Sequence, residues 1–266
     1  MSRIIGIDMA RWQGVVDFDS LVSAGIQFAY IKACHGLNGL DPRFKDNWAH
    51  GRNKLPIGAY LWFTDHDPFQ QADRIVSVLD AEGFRGDLPI AVDFEEPGTI
   101  YRGAVLLDRL RSCLARIHAL TGRAPVLYTG DWYWAGYAQQ LDAQDIVETY
   151  PLWLAQYPRV ELRDRRNCAT QPPVLPKPNC PKPWRDRGMM PTFWQFDGDG
   201  GCVLPNGVDA DFNEFLGDSF EAVCDKQVTV ENVPSPQSNP FPLNMASQLN
   251  RAAEYEAGVK EDESKS

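Results

Sequence analysis

The sequence predicts an α/β protein built on an incomplete, TIM-like β/α barrel of about eight strands and five helices, followed by a C-terminal extension. Two patterns carry that expectation. Strand-like and helix-like stretches alternate for five rounds, which implies a parallel sheet with helices outside. Strands then follow with little helix between them, giving eight within about 217 residues. A third observation is chemical. Polar residues gather at the predicted strand ends, where such barrels carry their working groups.

The elements follow in order. Arg3 to Asp8 reads as the first strand, and a turn through Trp12-Gln13-Gly14 leads to a short helix from Phe18 to Ala24. Asp17 is its N-cap and Gly25 its stop. Gln27 to Ala33 is the second strand, and Asp41-Pro42 opens a helix with Pro at its first position. Pro56 to Phe63 is the third strand. Asp67-Pro68 opens a helix to Glu82 whose apolar residues keep helical spacing. The fourth strand lies in the stretch Leu88 to Pro97, started by Pro89 and stopped by Pro97, and precedes a long amphipathic helix capped by Gly122. Val126 to Thr129 is strand five, with a helix capped by Asp131 behind it. Leu152 to Tyr157 and Thr192 to Phe196 are strands six and seven. Gly207-Val208-Asp209 reads as the last strand, closing into a short helix near Phe212 to Leu216.

Residues 1–217 therefore form the predicted barrel. Glu161 to Pro191 interrupts it with seven prolines and seven Arg or Lys against three acids. This basic, rigid stretch reads as a solvated loop, with a lip on an anionic polymer near the site as the sharper idea. From 218 to 266 the pattern fades into a proline-rich linker, a possible short helix (Leu243 to Val259) and a disordered end.

Composition narrows the function. The chain has 266 residues, of which 44% are hydrophobic, enough for a sizeable core. Its formal charge of −10, with no basic block to balance it, argues against nucleic acid. No apolar run is long enough to span a membrane, so stable insertion is not expected. The N-terminus lacks a signal peptide's apolar region, which implies synthesis in a cytoplasm and exit by another route. The six cysteines and four histidines show no metal spacing, so neither metal nor cofactor is called for. Cys168 and Cys180 bracket the proline-rich loop, but cytoplasmic synthesis argues against a bridge between them.

Chemistry concentrates on the fourth strand. Leu88, Ile90, Val92 and Phe94 occupy one face, while Ala91, Asp93 and Glu95 occupy the other. Residues i and i+2 share a face roughly 6.6 to 7 Å apart. Two buried acids side by side cost several kcal/mol unless partnered, so structure alone does not favour the pair. Asp8, His35, Tyr128, Tyr157, Gln195 and Asp209 stand at other strand ends, so carboxylates and aromatics converge from several strands.

With these residues in view, roughly residues 4 to 217 resemble glycoside hydrolase family 25, the bacterial and phage N-acetylmuramidases. The resemblance rests on Gly6-Ile7-Asp8 with Trp12-Gln13-Gly14, Phe28-Ala29-Tyr30-Ile31-Lys32-Ala33, Asp41-Pro42-x-Phe44 and Gly58-Ala59-Tyr60. It continues through Asp93-x-Glu95, Tyr128-Thr129, Leu152-Trp153-Leu154-Ala155-x-Tyr157, Trp194-Gln195 and Val208-Asp209. It implies hydrolysis of the β-1,4 bond from N-acetylmuramic acid to N-acetylglucosamine in bacterial peptidoglycan. Glu95 would be the general acid, Asp93 its partner, and Asp8 and Asp209 the remaining acids. Direct attack by Asp93, activation of water and attack by the substrate's acetamido oxygen stay open. Tyr60, Tyr128, Trp153 and Tyr157 are candidate sugar platforms, with Gln195 and His35 as further substrate contacts.

Two departures stand out. Ala33-Cys34-His35-Gly36 replaces the family's Ala-Thr-Glu-Gly, and Tyr60-Leu61-Trp62 replaces Tyr-His-Phe. Both leave the acid pair intact. The expected setting is a phage lysin acting at the bacterial wall, its tail contacting a phage or wall component. A non-catalytic peptidoglycan-binding or virion barrel and a chitinase-like glycosidase are the alternatives.

Overall fold

The computed structural model describes residues 3–95, 100–138, 142–158, 167–198, 201–204, 206–217, 219 and 223. In chain order its elements are β1 (Ile4–Met9), α1 (Phe18–Ser23), β2 (Phe28–His35), β3 (Gly39–Leu40), α2 (Phe44–Gly51), β4 (Ile57–Trp62) and α3 (Pro68–Ala81). They continue with β5 (Ala91–Asp93), α4 (Gly103–Thr121), β6 (Val126–Gly130), α5 (Asp131–Tyr137) and α6 (Gln144–Thr149). The last are β7 (Leu152–Ala155), α7 (Lys182–Arg185), β8 (Phe193–Asp197) and β9 (Asp211–Phe215).

Eight strands close a barrel in the order β1-β9-β8-β7-β6-β5-β4-β2, sealed by parallel pairing of β1 with β2. All are parallel except β9, which runs antiparallel between β1 and β8. The short β3 lies antiparallel along the end of β2. Among the described residues no helix is long and apolar enough to cross a membrane.

Period-two alternation divides the side chains. Ile5, Ile7, Ile31, Leu61, Val92 and Leu154 point outward into the core shared with the helices. The inward set is aromatic and layered. Phe28, Phe193 and Phe215 fill the amino-terminal end, with Tyr30, Trp153, Tyr60 and Tyr128 above them. Gly6 and Gly58 make that filling possible. A Cβ on Gly6 would come within 2.5 Å of the Phe28 ring, and one on Gly58 within 2.4 Å of Tyr30.

Local signals held at most boundaries. Asp17 accepts from the backbone of Asp19 and Ser20, and Asp67 from Gln70. Gly122 takes the left-handed conformation at the end of α4. Elsewhere the chain departs from expectation. α2 begins at Phe44 because Asp41 accepts from the Arg43 and Arg11 N–H groups, holding Pro42 in the preceding turn. The fourth parallel strand is only Ala91–Asp93, with Phe94 bonded across to Tyr128. The final strand is Asp211–Phe215 instead of 207–209, and the short helix expected at 212–216 is absent. Alternation puts Asp211, Asn213 and Phe215 on the inner face there.

The cysteines also differ. Cys168 pairs with Cys202, while Cys180 is a buried thiol. The proline run 172–178 lines a cavity of about 580 Å³ with Arg3, Trp194, Glu214 and Leu216. Arg3 and Leu216 flank the amino-terminal end of the barrel, so this part of the loop is no lip on the acidic strand ends. The expected linker and short helix beyond residue 223 lie outside the described residues.

Candidate active site

The carboxyl ends of the strands bring the acids together. Asp8 ends the inward face of β1, and Asp211, opening β9, sits directly opposite it in register. Asp93 closes β5 and Glu95 follows it. Asp8 and Asp93 are buried, whereas Glu95 is half-buried. Asp209 does not join them. It is exposed just ahead of β9, in a bridge with Val203, so the fourth acid of the cluster is Asp211. The antiparallel entry of β9 explains the exchange, since its first inward position lands beside Asp8.

A fixed hydrogen-bond frame holds Asp8. Gln195 donates to Asp8 Oδ2 at 2.8 Å and Asn213 donates to the same oxygen at 2.7 Å. Gln195 Oε1 in turn accepts from the Tyr128 and Tyr157 hydroxyls at 2.9 and 2.8 Å. Asn213 Oδ1 accepts from the Trp153 indole at 2.7 Å. Gln195 is 1% exposed and Trp153 2%, so both lie beneath the cleft floor. Trp153 stacks on Tyr30 and meets Tyr128 edge-on. Its place is that of a support for the frame; it offers no open ring face to a sugar. Tyr60 and Tyr128 are nearly covered, whereas Tyr157 stands open.

Burial and crowding set the protons. Burial raises Asp8 to about 6, against the pull of the Asn213 and Gln195 donors and a hydrogen bond from Asp211. Glu95 is raised to about 7, first by burial and then by the Asp8 charge, while Tyr128 and Lys32 oppose the rise. Asp211 climbs to about 9 through burial and the charges of Asp8, Asp197 and Glu95. At neutral pH Asp211 is therefore a neutral acid donating to Asp8, and Glu95 holds its proton in a large fraction of molecules.

Lys32, which the strand-end reading passed over, supplies the counter-charge. Burial lowers its pKa, and Asp93, Asp41 and Glu95 act to keep it charged. Its ammonium sits 4.2 Å from the centre of the Trp62 ring. His35 stacks on the same ring at 5.6 Å, so the two departures noted above pack against each other. Asp211 and Asn213 were also missed. The alternation of Asp211-Phe212-Asn213-Glu214-Phe215 is the signal that marks them. Among the described residues no group of His, Cys, Asp and Glu is arranged to hold a metal ion.

A barrel mouth that holds a glutamate of raised pKa two residues from an aspartate, amid further acids, has the paired carboxyls that glycoside hydrolysis uses. The chain matches the model of glycosyl hydrolases family 25 over residues 7–202, and it belongs to that family. It is similar to lysozyme M1 of Streptomyces globisporus, at 28% identity over 81% of this chain and 69% of the relative. It is similar also to the N,O-diacetylmuramidase of Chalaropsis sp, at 29% identity over 56% of this chain and 76% of that one. Among solved structures, the bacterial lysozyme from Streptomyces coelicolor superposes with a TM-score of 0.66 and 26% identity, covering 86% of this chain and all of that one.

Proposed function

We propose that the chain cuts peptidoglycan as an N-acetylmuramidase, with Glu95 as general acid and Asp93 as its partner at the anomeric centre. The observation that carries this reading is the gathering of Asp8, Asp93, Asp211 and Glu95 at the carboxyl ends of the parallel strands, where burial and the nearby Asp8 raise Glu95 to about 7. A carboxyl of ordinary acidity would have lost its proton at neutral pH, and an acid catalyst has to keep one. Its proton passes to the glycosidic oxygen as the bond from muramic acid C1 breaks, freeing the 4-hydroxyl of N-acetylglucosamine. Water supplies the new hydroxyl at C1, and its other proton restores Glu95. Asp8 and Asp211 share a proton beside them, so Asp8 adds negative charge near the positive centre that develops. Tyr157 lies within reach of the sugars; Gln195 acts through Asp8. Wall lysis of the kind a phage lysin performs is the setting we propose for this reaction.

Digesting purified peptidoglycan and chitin in parallel tests the proposal. Muramic acid at the new reducing ends is the expected product. New ends on chitin alone would favour a chitinase-like enzyme, and none on either a binding barrel. Glu95→Gln should lower turnover at least about 10²-fold while leaving the fold intact; near-parental rates would remove Glu95 from the role.

A further inference from the structure

Among the described residues, three large aromatic side chains are exposed: Trp12 at 63%, Trp132 at 53% and Tyr157 at 36%. Exposed rings of this size are informative when they cluster at one end of a molecule. All three stand just beyond the carboxyl end of a barrel strand, Trp12 after β1, Trp132 after β6 and Tyr157 after β7. The strand order sets β1 and β6 diametrically opposite, four strands apart by either route. Trp132 and Tyr157 form one rim, their rings 6.1 Å apart. Trp12 forms the other, with the Arg11 guanidinium 4.4 Å above its ring. The acidic cluster lies between them. An eight-stranded barrel is roughly 15 Å across at the backbone, so only several consecutive sugars can touch both rims.

The rims differ in charge. Arg11 lies near enough to Lys32 for the two like charges to repel, and its backbone N–H binds Asp41. Lys32 is already matched by the buried Asp93, Asp41 and Glu95, so the cation on the β1–β2 rim that faces a strand is Arg11. A chitin-type strand offers it no anion. A muramyl residue does, through its lactyl carboxylate or the carboxylates of the attached peptide.

We propose that Trp132 with Tyr157, and Trp12 with Arg11, are two outer platforms that bind a peptidoglycan strand across the whole mouth, Arg11 receiving a muramyl carboxylate. The assignment rests on the peptidoglycan reading above and adds the outer contacts and the source of selectivity. Trp12→Ala and Trp132→Ala should each raise KM on long glycan strands roughly five- to tenfold, with a smaller change in kcat. Trp→Tyr at either position should keep most of the affinity, and the double alanine variant should multiply the single effects. Val22→Ala, on the outer face of α1, is the control and should match the parent.

The arginine has its own comparison. Arg11→Gln should weaken binding to peptide-free glycan strands, measured by co-sedimentation, and should make no difference once the strands' carboxyl groups are reduced to alcohols. Equal weakening on both strands would overturn the carboxylate assignment. A double alanine variant with parental KM and sedimentation would overturn the platforms. A parent that binds strands through these tryptophans yet cuts none would overturn the hydrolase reading and leave the platforms standing.

Discussion

Replacing Asp211 by Asn keeps a donor beside Asp8 while removing a group that can ionise. In the folded chain Asp211 releases its proton near 9, against 3.8 ordinarily. Between those values the unfolded chain gives up a proton that the folded one retains, so this residue's contribution to stability falls as pH rises. Asp211→Asn should therefore leave stability near parental at pH 4 and raise it by about 2–4 kcal/mol at pH 7 to 8, measured by urea unfolding. An identical difference at both pH values would show that Asp211 does not hold a proton in the fold. Activity should fall in the same sense, with Glu95 as the proposed acid. With its proton leaving near 7 and Asp8 ionising near 6, kcat/KM should peak between them and fall about tenfold per unit well above 7. A profile flat from pH 6 to 9 would exclude Glu95 as the acid. Asp8 and Asp93 were legible as strand-end acids because each stands at the end of a short alternating strand, and Glu95 because it continues the alternation one step past β5. Asp211 was not, because Phe212 and Leu216 stand four apart and imitate a helical turn.

At the scale of elements, the inward face of β1 shows how tightly sequence is tied to closure. Gly6 borders the Phe28 ring so closely that an added methyl requires the aromatic layer to move. Gly6→Ala should cost about 2–3 kcal/mol and lower the melting temperature by roughly 5–10 °C, visible by calorimetry. A melting temperature within a degree of the parent would mean the layer yields freely. Elements stopped by local chemistry were readable: α1 by Asp17, α3 by Asp67 and Pro68, α4 by Gly122. β3, α6 and α7 were not. Each is at most six residues long, too short to show a period, and α7 is buried chiefly through Trp184 against Trp134.

For the molecule as a whole, alternation of strands and helices announced the barrel, but long-range partners stayed hidden. Cys168 and Cys202 are 34 positions apart, and their bond ties the segment after β7 to the approach of β9. Closing a loop of that length contributes about 3–4 kcal/mol, so reduction should lower the urea midpoint clearly. An unchanged midpoint on reduction would show that the bond carries no stability. Spacing could not choose this pair because six cysteines permit many pairings and only the folded loops decide among them. The antiparallel insertion of β9 has a further consequence for biosynthesis. Until residues 211–215 leave the ribosome, the cylinder has a gap between its first and eighth strands, and Asp8 lacks both Asn213 and the neighbouring proton. The hydrogen-bond frame around Asp8 is therefore completed only when β9 pairs with β1 and β8.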